Sequence, residues 1–388
     1  MHLKNVNLKY LFIVVLLAVL VGAGIFIYSW KISKESSSFD ARTPGESKQD
    51  QAKGQELQWA CGSLHTHIMI FEDERQNTES LEEVIAASEK LGFKFIMLSE
   101  KGPSYSKDSP NWKNMIRDCD KNNTNDFVCL SGQENCTLEE APKKPRGHFV
   151  IIENKDYIPE ILDVPEVLGE AHKQGSVVII AHPFYKEDIS DMYNYNRWDI
   201  LDWEAMEVID GVIDQESNEK ALKKIYEFWN KGIKKSLTGG ADFKNHKAYT
   251  NTLLDPKEVE DKLKTGYTCL YLNALNREAI IKAIKNGNGY ASSGVQINDF
   301  TVNGARMGET VLVPPNGSLS IKIDAKAGSK IKKVVLIENG NVSKVFQPTA
   351  PEFVKDFSLP VRESGWYNLE VYAEDGRAFT NAIWVEVR

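Results

Sequence analysis

Seven histidines occur in the 388-residue chain, and four of them stand beside short apolar runs that read as β-strands. His65 and His67 close the segment Gly62-Ser63-Leu64-His65-Thr66-His67. Residues i and i+2 of a strand point to the same side, so these two imidazoles can grip one ion together. His148 opens His148-Phe149-Val150, and His182 ends Val178-Ile179-Ile180-Ala181-His182. Two carboxylates hold equivalent places, Glu134 in Leu130-Ser131-Gly132-Gln133-Glu134 and Asp242 in Gly239-Gly240-Ala241-Asp242. Any one of these alone reads as a satisfied core or loop side chain, whereas six in such positions read as a metal site. Imidazole mixed with carboxylate suits zinc, manganese or iron; a structural zinc site would be rich in cysteine instead.

Side chains spread over 180 residues can meet only if the scaffold gathers strand ends. Over 58–293 the pattern alternates short β-branched runs with amphipathic helices. The clearest helix opens with the capping box Ser80-Leu81-Glu82-Glu83, carries Leu81, Val84, Ile85, Ser88 and Leu91 on one face, and stops at Gly92. A strand over 93–98 follows. Similar strands are expected over 127–130, 149–152, 177–180, 205–209 and near Leu237, with helices over 167–173, 219–230 and 277–285. Alternating β and α units imply parallel strands joined by crossover helices, and about seven units fit a closed barrel whose chemistry lies at the C-terminal strand ends. Within 294–388 helices vanish. Alternating runs such as Leu319-Ser320-Ile321-Lys322-Ile323, separated by Gly-Asn and Asp-Gly turns, predict a small antiparallel sandwich. It holds no histidine and is expected to carry no chemistry.

Residues 10–30 are uncharged and strongly apolar, about 30 Å long as a helix and so matched to a bilayer core. The run exceeds the roughly 7 to 15 residues of a cleavable signal. Residues 1–30 are therefore expected to be a short leader and single-pass membrane anchor, 31–57 a polar linker, and the bulk of the chain extracytoplasmic. A net charge of −8 gives no sign of a nucleic-acid surface, which would need a basic face. Cys119, Cys129 and Cys136 are near enough in sequence for one bridge in an oxidising compartment, and five cysteines leave at least one thiol over.

Taken in order, these motifs resemble the PHP domain, the polymerase and histidinol phosphatase family of metal-dependent hydrolases. The segment ending in His65 and His67 resembles its opening Leu-His-x-His. Gly132-Gln133-Glu134 is similar to its Gly-x-Glu, Gly147-His148 to its Gly-His, Ala181-His182-Pro183 to its Ala-His-Pro, and Gly239 to Asp242 to its closing Gly-Ser-Asp. Gly287-Asn288-Gly289-Tyr290-Ala291-Ser292-Ser293-Gly294 and the late Thr380-Asn381-Ala382-Ile383 resemble the carbaryl-hydrolase, CehA/McbA-like branch. The resemblance implies an α/β fold, a distorted (β/α)7 barrel followed by a small all-β sandwich. It implies two divalent ions (manganese, zinc or iron), one on His65, His67, Glu134 and Asp242 and the other on Glu134, His148 and His182, with Glu134 bridging. A hydroxide generated between such ions would attack a phosphoester, amide or carbamate, in a small and anionic substrate.

Three places depart from the pattern. Ser99-Glu100-Lys101 replaces Thr-Asp-His, Asp242-Phe243-Lys244 replaces Asp-x-His, and Glu72 stands where an Asp or His is usual. These are the places that hold a third ion in trinuclear relatives. An ammonium has three donors and no lone pair. Lys101 and Lys244, beside Glu72, are therefore expected to replace that cation and to stabilise substrate charge. The alternative is a ligand-binding protein that kept the barrel and lost turnover.

Overall fold

In the structure, a computed structural model, the residues described are 57–68, 80–101, 110–136, 147–185, 194–211, 215–242 and 265–388. The expected membrane span, the linker up to residue 56, Glu72 and Lys244 all lie outside them. Among the described residues no helix is long and apolar enough to cross a membrane.

The first part of the chain runs β1 (Gln58–Thr66), α1 (Leu81–Lys90), β2 (Phe95–Glu100), α2 (Pro110–Lys121), β3 (Val128–Asn135), β4 (His148–Ile152), α3 (Val164–Lys173), β5 (Val177–Ala181), β6 (Ala205–Asp210), α4 (Gln215–Asn230), β7 (Ser236–Gly240), β8 (Tyr267–Leu272), α5 (Arg277–Asn286) and β9 (Gly289–Ser292). Helix α1 starts as its capping box requires: Ser80 Oγ accepts the Glu83 N–H at 3.2 Å and Glu83 Oε2 accepts the Ser80 N–H at 3.0 Å. It ends before Gly92, whose φ of 79° needs a residue without Cβ. Helix α3 starts earlier than its apolar stripe suggests, because Asp163 and Glu166 form a second capping box. Helix α2 and strand β8 have no counterpart among the sequence expectations. In α2 only Trp112, Met115 and Cys119 are buried, too few apolar positions to stand out from the polar surroundings.

Strands β1, β2 and β3 are parallel, as are β5, β6 and β7. Strand β4 runs antiparallel to both β3 and β5, so the expectation of uniformly parallel strands is corrected here. This reversal serves the site. A reversed strand brings its first residue to the end where its neighbours finish, and that residue is His148, opposite Ala181. The row curls so that the segment after β7 returns to β1, the N–H groups of Ala241 and Asp242 both donating to His65 O, at 3.2 and 2.9 Å. Seven strands thus form a distorted, partly closed barrel.

The remaining strands are β10 (Val295–Val302), β11 (Thr310–Val313), β12 (Ser318–Ala327), β13 (Ile331–Glu338), β14 (Asn341–Phe346), β15 (Glu352–Pro360), β16 (Gly365–Ala373), β17 (Arg377–Thr380) and β18 (Ile383–Val387). Strands β10, β12 and β15 form a three-stranded sheet. It packs on the other C-terminal strands through alternate residues, Leu319, Ile321 and Ile323 of β12 against Val334, Leu336 and Leu369. The large sheet does not stop at residue 293: β9 pairs with β8 on one side and with β17 on the other, giving 15 strands in all. The β-rich region therefore buttresses the barrel. Asn381 accepts the Leu237 N–H at 2.8 Å and donates to Leu237 O at 3.1 Å, pinning β7. Tyr226 of α4 donates to Asn368 at 2.6 Å.

Two disulfides join neighbouring elements. Cys119–Cys129 ties α2 to β3, within the trio expected to pair. Cys61–Cys269 ties β1 to β8 across 208 residues, a pairing that only the antiparallel register of those strands brings together. Cys136 remains a thiol.

Candidate metal centre

The end of the barrel gathers all six expected ligands. His65 and His67 leave β1, Glu134 stands near the end of β3, His148 starts the reversed β4, and His182 and Asp242 follow β5 and β7. Their donor atoms form two groups, His65, His67, Glu134 and Asp242 in one, and Glu134, His148 and His182 in the other. Glu134 belongs to both.

In the first group His67 Nε2 lies 3.1 Å from Glu134 Oε2 and 3.2 Å from Asp242 Oδ1. His65 Nε2 lies 3.5 and 3.4 Å from the same two oxygens. Donors about 2.1 Å from a tetrahedral zinc are about 3.4 Å from one another, so the spacing fits a shared cation. His65 Nε2, His67 Nε2 and Asp242 Oδ1 are buried and make no well-aligned hydrogen bond. Buried polar atoms left so are costly unless something else meets them. In the second group Glu134 turns its other oxygen: Oε1 is 2.6 Å from His148 Nδ1 and 3.3 Å from His182 Nε2. One carboxylate thus offers one oxygen to each group; the spacing in the first fits a divalent ion, while in the second His148 bonds Glu134 directly.

Backbone strain marks the same place. His182 has φ 26° and Asp242 φ 45°, a region that costs of order 1–3 kcal/mol for most non-glycine residues and clusters at functional sites.

The protonation of the cluster follows from burial set against charge. Burial above all pushes His148 down to about 4, in spite of Glu134 beside it, leaving it neutral near pH 7 in the form that ligates. Burial works against a charged His65 too, but Glu207, Asp242 and Glu134 overcome it and hold His65 well above its ordinary value. His182 is raised by Glu134 and the nearby aspartates against the same burial. For Glu134 burial favours the neutral acid, yet Lys101, His148 and His65 bring it well below the usual carboxylate range. Asp242 is likewise lowered against burial by His65 and His67.

Of the substituted positions, Lys101 is described, and its ammonium contacts Glu134 Oε2 directly. Its side chain is 30 % exposed. Burial disfavours its charge, and Glu134, Cys136 and Asp242 reverse this, so Lys101 stays protonated. Its neighbour Glu100 turns inward and accepts the Ile68 N–H at 2.7 Å, which fastens the end of β1. His172 is on α3, bonded to Glu204 at 3.1 Å, and belongs to none of the donor groups. Tyr195 and Trp198 pack on each other, with Tyr195 also against Phe149; His246 and Tyr193 lie outside the described residues.

Two acidic residues were missed in the sequence, Glu207 and Asp210, which form a further group with His65. Glu207 Oε1 is 3.0 Å from His65 Nδ1. Strict alternation puts residues three apart on opposite faces of a strand. A register shift between Glu207 and Ile209 turns both acids toward His65. Burial, Glu207 and Asp242 raise Asp210 well above its ordinary value. The only signal in the sequence was two carboxylates in an otherwise apolar strand.

No family model matches the chain, and no curated protein matches it. Among solved structures, it is similar to a two-domain protein from Bacteroides vulgatus described as containing a predicted PHP-like metal-dependent phosphoesterase, with 15 % identity, 87 % of this chain and 100 % of that chain covered, and a TM-score of 0.46. A Bifidobacterium adolescentis protein given the provisional description of a metal-dependent phosphoesterase is similar at 14 % identity, over 51 % of this chain and 90 % of that one, with a TM-score of 0.32. Fibronectin(III)-like modules of CbhA from Clostridium thermocellum are similar at 21 % identity, over 24 % of this chain and 95 % of theirs, with a TM-score of 0.18.

Proposed function

We propose that the chain is a PHP-type metal-dependent hydrolase of small anionic phosphoesters, with amides and carbamates as the other candidate substrates, working at a dinuclear centre. The observation that carries this reading is Glu134 standing between two donor groups with one oxygen toward each. Two divalent ions would supply Lewis acidity toward the attacked group and acidify a water. His65, His67 and Asp242 would hold one ion, His148 and His182 the other, and Glu134 both. Lys101 keeps a positive charge at the rim, where it can bind a substrate oxygen that gains negative charge. We place Lys244 in the same role and Glu72 beside the two lysines, where its carboxylate would offset their repulsion, on their sequence positions alone, and the CehA/McbA-like branch on the two C-terminal motifs.

One observation favours the second reading, a binding protein without turnover. Lys101 occupies the same Glu134 oxygen that faces His65 and His67, where it competes with a cation. Elemental analysis of metal-replete full-length protein, with a hydrolysis panel in manganese, zinc or iron, separates the readings. About two ions per chain and turnover of a phosphoester are expected; one ion or none, with no turnover, leaves the binding protein. Lys101→Ala is expected to slow turnover on anionic substrates about tenfold or more, the scale of a lost charge-assisted hydrogen bond of about 1.5–3 kcal/mol. A faster enzyme with tighter metal binding would show instead that Lys101 obstructs the site.

The residue 10–30 anchor and extracytoplasmic location belong to this proposal. Two disulfides support it, since such bridges persist in oxidising compartments. Thiol alkylation of denatured, unreduced protein taken from cells should label one cysteine per chain, Cys136; labelling of all five would contradict the location.

A further inference from the structure

Behind the two donor groups a single carboxylate touches one member of each. Glu207 is 1 % exposed. Its Oε1 lies 3.0 Å from His65 Nδ1, and its Oε2 accepts the backbone N–H of His182 at 2.9 Å. His65 belongs to the first group and His182 to the second. Asp210 Oδ2 is 4.0 Å from the same His65 nitrogen, beyond hydrogen-bond reach. The chain makes room for this contact at Gly240, where a Cβ would stand 2.3 Å from Glu207 Oε1 and 2.6 Å from His65 Cβ. Only glycine lets β7 pass so close.

We propose that Glu207 is a positioning residue that fixes the His65 ring and the His182 backbone together, so that the two halves of the centre assemble as one and fill cooperatively. The inference rests on reading the cluster as a metal centre. When His65 donates Nδ1–H to Glu207, the lone pair is left on Nε2, the atom that faces Glu134 and Asp242. The bond to the His182 N–H holds that residue at φ 26°, a conformation the backbone would otherwise leave. Only a carboxylate accepts at both places. In Glu207→Gln one oxygen remains: either it takes the His182 N–H and the amide NH2 forces His65 into the wrong tautomer, or it takes His65 and the NH2 opposes the His182 N–H.

The test is a Co2+ titration of the full-length chain and of Glu207→Gln, followed by calorimetry and by the visible absorption of bound Co2+, with thermal unfolding in chelator as the folding control. The wild-type chain is expected to take up two ions with the doubly loaded form ahead of the singly loaded one. Glu207→Gln should weaken both steps about tenfold or more, within the 10- to 100-fold range for groups that orient ligands, and alter the Co2+ spectrum. A merely structural role would lower the unfolding temperature in chelator but leave the spectrum of the loaded protein unchanged. Unchanged isotherms, or weakening of one step alone, would overturn the coupling. So would independent filling in the wild-type chain, a result that needs no variant. A wild-type chain that takes up no Co2+, Zn2+ or Mn2+ would instead overturn the metal-centre reading itself.

Discussion

Replacing Glu134 with glutamine is expected to empty at least one of the two donor groups and to lower hydrolysis on the order of a thousandfold, as several kcal/mol of transition-state charge stabilisation go with a lost ion. The size of the effect follows from the two-sided position of this carboxylate. Oε1 faces His148 and His182 while Oε2 faces His65, His67 and Lys101. An amide has one oxygen, so whichever way the new side chain turned, one group would meet an NH2 with no lone pair to offer. The negative charge facing Lys101 would vanish as well. His148→Ala, by contrast, removes one ligand from the second group only and should leave the first ion bound. Metal content after gel filtration, read beside thermal unfolding in chelator, distinguishes an empty site from a lost fold. Two ions retained by Glu134→Gln would show that Glu134 is not the bridge.

The second large effect concerns stability. The Cys61–Cys269 bridge closes a loop of 208 residues, and constraining so long a loop in the unfolded chain stabilises the folded one. The chain-entropy relation gives roughly 5 kcal/mol for this length, with about 2–4 kcal/mol typical of measured bridges. The paired change Cys61→Ala with Cys269→Ala is therefore expected to lower unfolding free energy by about 2–5 kcal/mol, seen as a lower urea midpoint, and reduction of the wild-type protein, which opens Cys119–Cys129 as well, should lower the midpoint at least as far. Because β1 carries His65 and leads directly into His67, the loss should be felt at the site as weaker metal retention near the midpoint. A wild-type midpoint that does not move on reduction would mean that this bridge contributes nothing to the folded state.

Much of the site was legible before any coordinates, and the reason is local. A ligand must sit at a strand end with its donor atom exposed to the barrel mouth, and a strand end shows in sequence as an apolar run that stops at a polar residue. His65, His67, Glu134, His182 and Asp242 all show this signature, and the structure brings them together. The Ser80 capping box and the Gly92 stop were readable for the same reason, since a helix terminus is specified by residues within one turn of it. Alternating β and α segments followed by alternating strands likewise announced an α/β region ahead of an all-β one.

What depends on partners far away in the chain only the tertiary structure decided. The direction of β4 cannot be read from its own residues, because a strand buried on both faces has the same pattern either way. The pairing of Cys61 with Cys269 needed the register of β1 on β8. Glu207 escaped notice because a bulge, invisible in the residue pattern, turns it toward His65. The contact of Lys101 with Glu134 was likewise decided in three dimensions, where β2 and β3 end side by side. Residue types named the chemistry available to this chain; strand direction, bulge and register determined which of those residues meet.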